Sequence, residues 1–363
     1  ELVMDPPEGY RVLPAYLDTD GCYRYAHTFM LQTLELPQEC LKDDVVQVHD
    51  GDVFFGVDLH TTTMVRHAAV YDEWRLRGVR IVNVLYDLLP VRSPQWFPAM
   101  VAPDFNDWVR HVALKSDGVL AISRTVAEDF GQWVEEQGIK QQRPDPLKIG
   151  WFHLGSDLHA SVPSKGLPDN AQTILNEISS VPSFLMVATI EPRKGHAQTL
   201  DAFEVLWTQG HRYNLVIVGK EGWKVETLAN RIRQHPKLGT QLYWLEGISD
   251  EYLEQIYPRC TALIAASEGE GFGLPLIEAA RHHIPVIARD IPIFREVGGE
   301  GAYYFSARSA QQFAQEISAW TKLSGDMRPD VEKIRCLTWQ ESSRQVVDFL
   351  NTFDCDQKNR CIQ

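Results

Sequence analysis

Positive charge is scarce in this sequence, which has 35 lysine and arginine residues against 49 aspartate and glutamate residues and a formal net charge of −14. Nucleic-acid-binding domains usually present a basic surface, so this balance argues against general nucleic-acid binding. It also argues against a broadly basic face that would lie on an anionic membrane. The sequence has no apolar run of the roughly 18 residues that a membrane-spanning helix needs.

Cysteine is also sparse, with six residues and no pair in a CxxC spacing. A disulfide-stabilised scaffold needs a denser framework, so we interpret these residues as reduced thiols. A disulfide stays open as an alternative for Cys355 and Cys361, which lie in a polar tail. We therefore expect a cytoplasmic protein, either free or peripheral on the inner face of the membrane.

A regular alternation of strand and helix patterns fills this chain of 363 residues, which is long enough for two domains of about 150 residues each. The alternation predicts an α/β fold whose parallel sheets are covered on both faces. We place a first Rossmann-like domain at residues 1–155 and a second at residues 182–335. Between them, residues 156–181 are rich in proline, glycine and polar residues and are predicted to be a linker. A helix at 336–353 and a polar tail at 354–363 complete the prediction.

The most informative stretch runs from Ser267 to Ala280 and follows an apolar run that is typical of a buried strand. Gly271 and Gly273 allow a tight turn with a close approach of the backbone to a ligand. Pro275 suits the first turn of a helix, whose free amides and dipole form an anion site. Glu270 and Glu278 bracket this anion site with carboxylates. A phosphate pocket flanked by acids suits a ligand that has both phosphates and hydroxyls, such as a sugar nucleotide.

Two other loops follow strands of the same predicted sheet, at the edge where doubly wound folds bind ligands. The loop Glu191-Pro-Arg-Lys-Gly195 offers Arg193 and Lys194 as cations for a diphosphate leaving group. The loop Gly219-Lys-Glu-Gly-Trp223 allows close backbone approach at Gly219, with Lys220 beside it. Trp223 has two interpretations, packing near the nucleotide or covering the domain core. At the next strand end, the backbone around Ile248 is a candidate contact for a base.

The first half contributes residues at the ends of two predicted strands. Asp58 and His60 follow one strand, while Tyr86 and Asp87 follow the other. We expect these residues to face the cleft opposite the second domain, where His60 could bind sugar hydroxyls or shuttle a proton. Structural roles, such as turn capping by the aspartates, stay open. The spacing Asp18-Thr-Asp20 resembles a metal-binding DxD, but a solvated turn is the favoured interpretation, and no metal site is predicted.

The stretch Glu270-Gly-Phe-Gly-Leu-Pro-Leu-Ile-Glu278 resembles the E-x7-E signature of glycosyltransferase family 4, a family of retaining enzymes with the GT-B fold. The stretch Thr189-Ile-Glu-Pro-Arg-Lys194 resembles the companion phosphate loop. The loop at residues 219–223 is similar to a variant found among mannosyltransferases that use GDP-mannose to build bacterial surface polysaccharides. Residues 339–343 resemble the start of the C-terminal helix that crosses back to the first domain.

This resemblance implies a role for each matching residue. Glu278 would bind the ribose hydroxyls, and Glu270 would hold the donor sugar. Arg193 and Lys194 would stabilise the departing diphosphate, and the acceptor would bind mainly on the first domain. Retention would proceed by front-face attack without a protein nucleophile, a metal or another cofactor. Further donor-binding residues implied by the motif are Gly271, Phe272, Gly273 and Leu274.

The sequence departs from the family pattern in its first half. Many members have a histidine where this chain has Tyr86, and the family's opening strand and glycine-rich loop have no counterpart before Glu1. We therefore expect the first domain to lack its first strand and loop. The expected function is transfer of a hexose, mannose from GDP-mannose, to a saccharide or lipid-linked saccharide. A UDP-sugar-dependent transferase and a non-catalytic sugar-nucleotide-binding module are the alternatives, and association with a membrane or a biosynthetic complex stays open.

Overall fold

A computed structural model describes residues 2–34, 36, 41–59, 61, 65, 68–156 and 166–360, with side chains described as far as Phe353. Two compact units emerge from it. The first comprises Glu1–Tyr86, Pro103–His153 and Trp339–Gln363, and the second comprises Asp87–Ala102 and Leu154–Thr338. Within the described ranges, no helix combines the length and the apolar character that a membrane crossing requires.

The elements before residue 154 are, in chain order, β1 (Ala15–Leu17), β2 (Tyr23–Tyr25), α1 (His27–Thr33), β3 (Val53–Gly56), α2 (Ala69–Leu76), β4 (Arg80–Leu85), α3 (Leu89–Arg92), α4 (Val101–Lys115), β5 (Gly118–Ala121), α5 (Arg124–Glu136) and β6 (Lys148–Trp151). The elements after it are α6 (Ala171–Ser180), β7 (Ser183–Val187), α7 (His196–Thr208), β8 (Asn214–Val218), α8 (Glu226–Arg233), β9 (Leu242–Leu245), α9 (Asp250–Ile256), β10 (Ala262–Ala265), α10 (Leu274–Arg281), β11 (Val286–Arg289), α11 (Pro292–Gly298), β12 (Ala302–Phe305), α12 (Ala310–Lys322) and α13 (Trp339–Arg360).

The first unit is built on a parallel sheet in the order β3-β4-β5-β6, with a separate antiparallel pair β1-β2. The central strands β4 and β5 are buried almost throughout, as expected for a parallel sheet that is covered on both faces. Helix α13 packs against this sheet at two glycines. A Cβ on Gly150 would lie 2.4 Å from Phe349 Cδ2, and one on Gly118 would lie 2.6 Å from Phe353 Cζ. The C-terminal helix therefore belongs to the first unit because these glycines leave room for its aromatic rings.

The second unit is built on a six-stranded parallel sheet in the order β12-β11-β10-β7-β8-β9. Strand order reverses direction at the boundary between β7 and β10, so the loops after these two strands are neighbours at one edge. A continuous apolar core lies under α7 and α12 and includes Phe184, Phe203 and Phe313. Each such fully buried side chain contributes roughly 1.5–3 kcal/mol. The predicted α/β fold with parallel sheets is confirmed.

The observed division differs from the predicted one at three places. Helix α13 spans Trp339–Arg360 rather than 336–353, so it extends into the predicted polar tail. Residues 87–102 are predicted in the first domain, but they pack with the second unit, where they contact the loops after β8 and β10. In the predicted linker at 156–181, residues 171–180 form α6, whose Leu175 and Ile178 are buried. Proline and glycine signals around this stretch hid its helical apolar spacing. Residues 157–165 lie outside the described part of the chain.

Candidate functional site

The loops after β7 and β10 meet at the carboxyl edge of the second unit's sheet. The first loop contains a 3-10 turn at Pro192–Lys194. The second loop runs from Ser267 to Gly273, where α10 begins. The backbone N–H of Glu268 donates to the carbonyl of Arg193 across 2.7 Å, so the two loops are joined directly. Sheet topology therefore brings together two motifs that are distant in the sequence.

Glu270 forms ion pairs with both cations of the first loop. Lys194 Nζ lies 2.6 Å from Oε1, and Arg193 Nη1 lies 2.9 Å from Oε2. The same Nη1 donates to the carbonyl of Gly269 across 3.0 Å, while Nη2 lies 3.2 Å from the carboxylate of Glu191. The three side chains of the central cluster are only 13–15% exposed. The cations are therefore held in place before any ligand arrives.

The cluster has more negative than positive groups. The cations Arg193 and Lys194 interact with three carboxylates, those of Glu270, Glu191 and Asp87. Burial would raise the pKa of Glu270, but the charges of Lys194 and Arg193 outweigh it and hold that pKa below its usual range. Burial raises the pKa of Glu191 and of Asp87, and the same two cations only partly offset it. Glu270 is therefore the carboxylate that stays ionised most firmly, because it pairs directly with both cations.

Glu278 lies on α10, away from these cations. The phenol of Tyr257 donates a hydrogen bond of 2.5 Å to its Oε2. Tyr257 is buried and stacks on His282, with ring centroids 4.9 Å apart and planes 8° apart. Burial raises the pKa of Glu278, and the hydrogen bond from Tyr257 opposes that rise. The carboxylate is thus oriented by the Tyr257 hydroxyl.

Helix α10 begins with the glycine that the motif requires. Gly273 has φ +110°, a conformation that side-chain-bearing residues rarely adopt, and a Cβ there would lie 3.0 Å from the ring of Phe294. A small cavity beside it is lined in part by Lys194, Glu270 and Pro275. An anion in this cavity would meet both a cation and the positive end of a helix. Of the other predicted loop residues, Gly271 and Phe272 are buried and Leu274 is 38% exposed.

The loop after β8 lies beside the loop after β7. Gly219 fits there because a Cβ would lie 2.0 Å from the carbonyl oxygen of Ala188. Lys220 is exposed, and its Cε lies 3.8 Å from where a Cβ on Gly247 would stand, so it borders the predicted base-binding loop. Ile248 in that loop is half-buried. Lys220 and Ile248 remain predicted donor contacts.

Trp223 packs on part of the chain that the sequence assigned elsewhere. Its indole Nε1 donates to the carbonyl of Trp96 across 2.9 Å, and its ring lies 5.9 Å from that of Phe97. Both partners belong to the 87–102 segment of the same unit. Trp223 therefore holds this segment against the loop after β8, and its packing near the nucleotide stays a prediction.

The predicted acceptor-side residues are divided between the two units. In the first unit, the Tyr86 hydroxyl donates to the carbonyl of Val57 across 2.6 Å, and burial followed by the nearby Asp58 charge raises the Tyr86 pKa. Asp87 belongs to the second unit, where it interacts electrostatically with the cation cluster. This corrects its predicted place with the first domain. His60 lies outside the described residues.

The two aspartates of the DxD spacing in the first unit, Asp18 and Asp20, both form ion pairs with Arg24. Arg24 Nε lies 2.7 Å from Asp18 Oδ2, and its Nη2 lies 2.7 Å from Asp20 Oδ2. These contacts support the interpretation as a turn. In the part of the chain that the structure describes, no three His, Cys, Asp or Glu side chains gather as a metal site would need.

Sequence reasoning missed two polar residues of this region. Tyr257 gave no signal, because only the packing of the turn after α9 against α10 brings it to Glu278. His196 follows the Arg193-Lys194 pair and is 1% exposed, and among the described residues neither of its ring nitrogens has a hydrogen-bond partner. Burial, with a smaller effect of Lys194, lowers the pKa of His196 to about 3. It is therefore a neutral imidazole next to the cations.

Comparison with known proteins identifies similar sequences and folds. The sequence profile "Glycosyl transferases group 1" matches residues 170–334. The serotype-specific mannosyltransferase WbdA of Escherichia coli is 44% identical over 345 residues, which cover 94% of this chain and 42% of that protein. The O-antigen chain mannosyltransferase RfbU of Salmonella typhimurium is 34% identical over 135 residues, 37% of each chain.

Among solved structures, Anabaena Alr3699/HepE in complex with UDP and glucose superposes with a TM-score of 0.62 at 17% identity, over 83% of this chain and 78% of that one. This likeness shows the fold, and the expected GT-B fold is confirmed. The chain spans less than half the length of the WbdA relatives that it matches, 42% in the first of them.

Proposed function

We propose that the chain is a mannosyltransferase of the glycosyl transferases group 1 family, whose sequence profile matches residues 170–334. It takes mannose from GDP-mannose and transfers it to a saccharide or lipid-linked saccharide acceptor in surface polysaccharide synthesis. The similarity to WbdA mannosyltransferases over 94% of the chain supports mannose as the transferred sugar.

One observation carries this proposal, the Glu270 carboxylate held between Lys194 and Arg193 at 2.6 and 2.9 Å. A nucleotide sugar brings a diphosphate that competes for both cations. We propose that the diphosphate takes over these partners, and that Glu270 is thereby released to accept hydrogen bonds from the sugar hydroxyls. Because the site is only slightly exposed, the exchanged pairs are stronger than they would be in water.

In the proposed reaction, the bond between the anomeric carbon and the diphosphate oxygen breaks as the acceptor oxygen bonds to the same face of that carbon. The acceptor proton passes to the departing phosphate oxygen. Lys194 and Arg193 stabilise the charge that develops there. Glu278, oriented by Tyr257, accepts hydrogen bonds from the ribose hydroxyls. This course retains the anomeric configuration and uses no metal or other cofactor.

The first experiment compares nucleotides by their effect on the melting temperature. We expect GDP and GDP-mannose to stabilise the chain more than UDP or UDP-glucose at equal concentration. A shift with UDP and none with GDP would replace the proposed donor by a UDP-sugar.

The second experiment follows hydrolysis of GDP-mannose and transfer to a synthetic mannoside, with and without EDTA. We expect an α-linked product, identified by its anomeric NMR signal, and equal rates with the chelator. Nucleotide binding with neither hydrolysis nor transfer would favour the non-catalytic binding module. An inverted product or loss of activity in EDTA would contradict the proposed mechanism.

Association with a membrane or a biosynthetic complex is part of the same proposal, since a lipid-linked acceptor lies at the membrane surface. Co-sedimentation with lipid vesicles, with and without lipid-linked mannoside, tests it. Sedimentation that depends on the mannoside would show recruitment through the acceptor.

A further inference from the structure

The 87–102 segment carries no motif of its own, yet it packs with the second unit. We call Asp87–Ala102 the strap. It contains α3 and a 3-10 turn at Pro94–Trp96. Leu88 is 2% exposed and Phe97 is 8% exposed, and the Phe97 ring lies 5.9 Å from the ring of Trp223 in the same unit.

The middle of the strap, at residues 95–97, is fixed to the loop after β8. Side chains of that loop donate hydrogen bonds to backbone carbonyls of the strap. Trp223 Nε1 donates to the carbonyl of Trp96 across 2.9 Å. Lys224 Nζ lies 2.5 Å from the carbonyl oxygen of Gln95 and 3.3 Å from that of Phe97. Three consecutive carbonyls are thus held, which fixes the direction in which the Trp96 side chain leaves the backbone.

The Trp96 ring reaches the loop that holds Glu270. A Cβ on Gly269 would lie 3.0 Å from Trp96 Cζ3 and 2.9 Å from Leu89 Cδ2, so the indole and the leucine methyl pack directly against this glycine. The carbonyl of Gly269 is the one that accepts from Arg193 Nη1. Trp96 therefore supports the backbone one residue before Glu270, on the residue that also orients the arginine.

The near end of the strap is turned toward the same cluster. Asp87 Oδ1 accepts from the N–H of Leu89 across 2.9 Å, which fixes the start of α3. The Asp87 carboxylate interacts electrostatically with Arg193, Lys194 and Glu270. Asp87 at the start of the strap and Trp96 in its middle are thus next to the residues that the proposed function assigns to the diphosphate and the sugar.

We propose that Trp96 is a positioning residue of the donor site, whose indole fixes the Gly269–Glu270 backbone and so sets where Glu270 meets the transferred sugar. This inference rests on the proposed function. The predicted base contact lies on another loop and the predicted ribose contact, Glu278, lies on α10, so Trp96 acts on turnover more than on nucleotide affinity. A small displacement of a group that orients a reacting sugar is enough for a large loss of rate.

The test measures kcat and KM for mannosyl transfer from GDP-mannose, and the Kd for GDP, in four variants. Trp96→Ala removes the support, and Trp96→Phe keeps a flat ring at the same place. Lys224→Met keeps the ring but removes the donor to the strap carbonyls. Met100→Ala is the matched control, because Met100 is on the same strap and 78% exposed. A melting curve for each variant confirms that it folds.

We expect Trp96→Ala to lower kcat about 10- to 100-fold while the Kd for GDP changes much less. Trp96→Phe should recover most of the rate, Lys224→Met should lie between the two, and Met100→Ala should match the unmodified chain. Unchanged kcat in Trp96→Ala, or a loss confined to GDP affinity, overturns the inference while the proposed function stands. If the unmodified chain neither hydrolyses nor transfers from any nucleotide sugar, the proposed function falls and this inference with it.

Discussion

The hydroxyl of Tyr257 donates a 2.5 Å hydrogen bond to Glu278, the carboxylate that closes the E-x7-E motif. The tyrosine is itself buried and stacked on His282, so it has little freedom to follow a ligand. A buried carboxylate that is oriented in this way accepts further hydrogen bonds without a new cost in side-chain entropy. The relationship makes Glu278 a preorganised acceptor, and it leads to the first two predictions.

Replacing Glu278 by alanine should weaken GDP binding about 10- to 100-fold, because hydrogen bonds to a charged acceptor contribute roughly 1.5–3 kcal/mol. Tyr257→Phe keeps the stacked ring and removes only the donor, so we expect a smaller loss, about threefold. Isothermal titration with GDP measures both. An affinity that is unchanged in Glu278→Ala would remove this residue from the nucleotide site.

The affinity for GDP should depend on pH through Glu278. Burial raises the pKa of Glu278 above its usual 4.5, and only the ionised form accepts from two hydroxyls. Affinity should therefore fall as the pH drops through the raised pKa. Titrations on Glu278→Gln supply the control, since the nucleotide itself titrates equally in both. Parallel pH profiles in the two proteins would show that Glu278 does not cause the dependence.

Replacing Glu270 by alanine should lower kcat about 100-fold. GDP, which has no sugar, should bind equally well or more tightly, because Lys194 and Arg193 lose a competing carboxylate. Steady-state kinetics with GDP-mannose and titration with GDP separate the two effects. A loss of GDP affinity equal to that of Glu278→Ala would contradict the division of roles between these glutamates.

Arg193→Lys should lower kcat about 10- to 100-fold although it conserves charge. The guanidinium contacts Glu191, Gly269 and Glu270 at 3.2, 3.0 and 2.9 Å, and a single ammonium cannot reproduce that fork. Arg231→Lys is a matched control, since Arg231 also bridges two carboxylates but is 38% exposed and lies on α8. Full activity in Arg193→Lys would reduce the role of Arg193 to its charge alone.

His196 should make the folded state lose stability in mild acid. Its pKa falls from the usual 6.5 to about 3 on folding, so the unfolded chain binds a proton that the folded chain does not. The free energy of unfolding is therefore unaffected by His196 above about pH 6.5. Below that pH it falls progressively, by about 2 kcal/mol at pH 5. Urea unfolding of His196→Leu should show a flatter pH dependence than the unmodified chain.

The control for His196 is His49→Gln, because the His49 side chain is 77% exposed. This variant should keep the pH dependence of the unmodified chain. Identical slopes in His196→Leu and the unmodified chain would show that another group titrates in this range.

Much of the second unit could be predicted from local patterns. Strands β7, β8 and β10 are short apolar runs followed by glycine-containing loops, and their ends were expected at one edge of a parallel sheet. The pairing of Glu270 with Lys194 and Arg193 follows from that edge, because parallel topology places successive loops side by side. The sequence motifs and the observed geometry agree here because both depend on the backbone of the two strand-to-helix turns after β7 and β10.

Helix α6 shows where local signals were insufficient. Its apolar spacing was present, but the surrounding proline, glycine and polar residues favoured a linker, and burial of Leu175 and Ile178 decided the outcome. The strap shows the same limit at larger scale. Residues 87–102 follow a first-unit strand in the sequence, and only their packing on the loops after β8 and β10 assigns them to the second unit.

The sequence by itself determined the α/β class, the succession of strands and helices in the second unit, and the two loops that supply cations and carboxylates. These features depend on apolar periodicity and on glycine and proline at turns, which act over a few residues. The tertiary structure alone decided that Tyr257 orients Glu278 and that Trp96 supports the backbone next to Glu270. It also decided that His196 is buried with no hydrogen-bond partner in the part of the chain that the structure describes. Those relationships join residues far apart in the chain, so they are set by how helices and loops pack on the sheet.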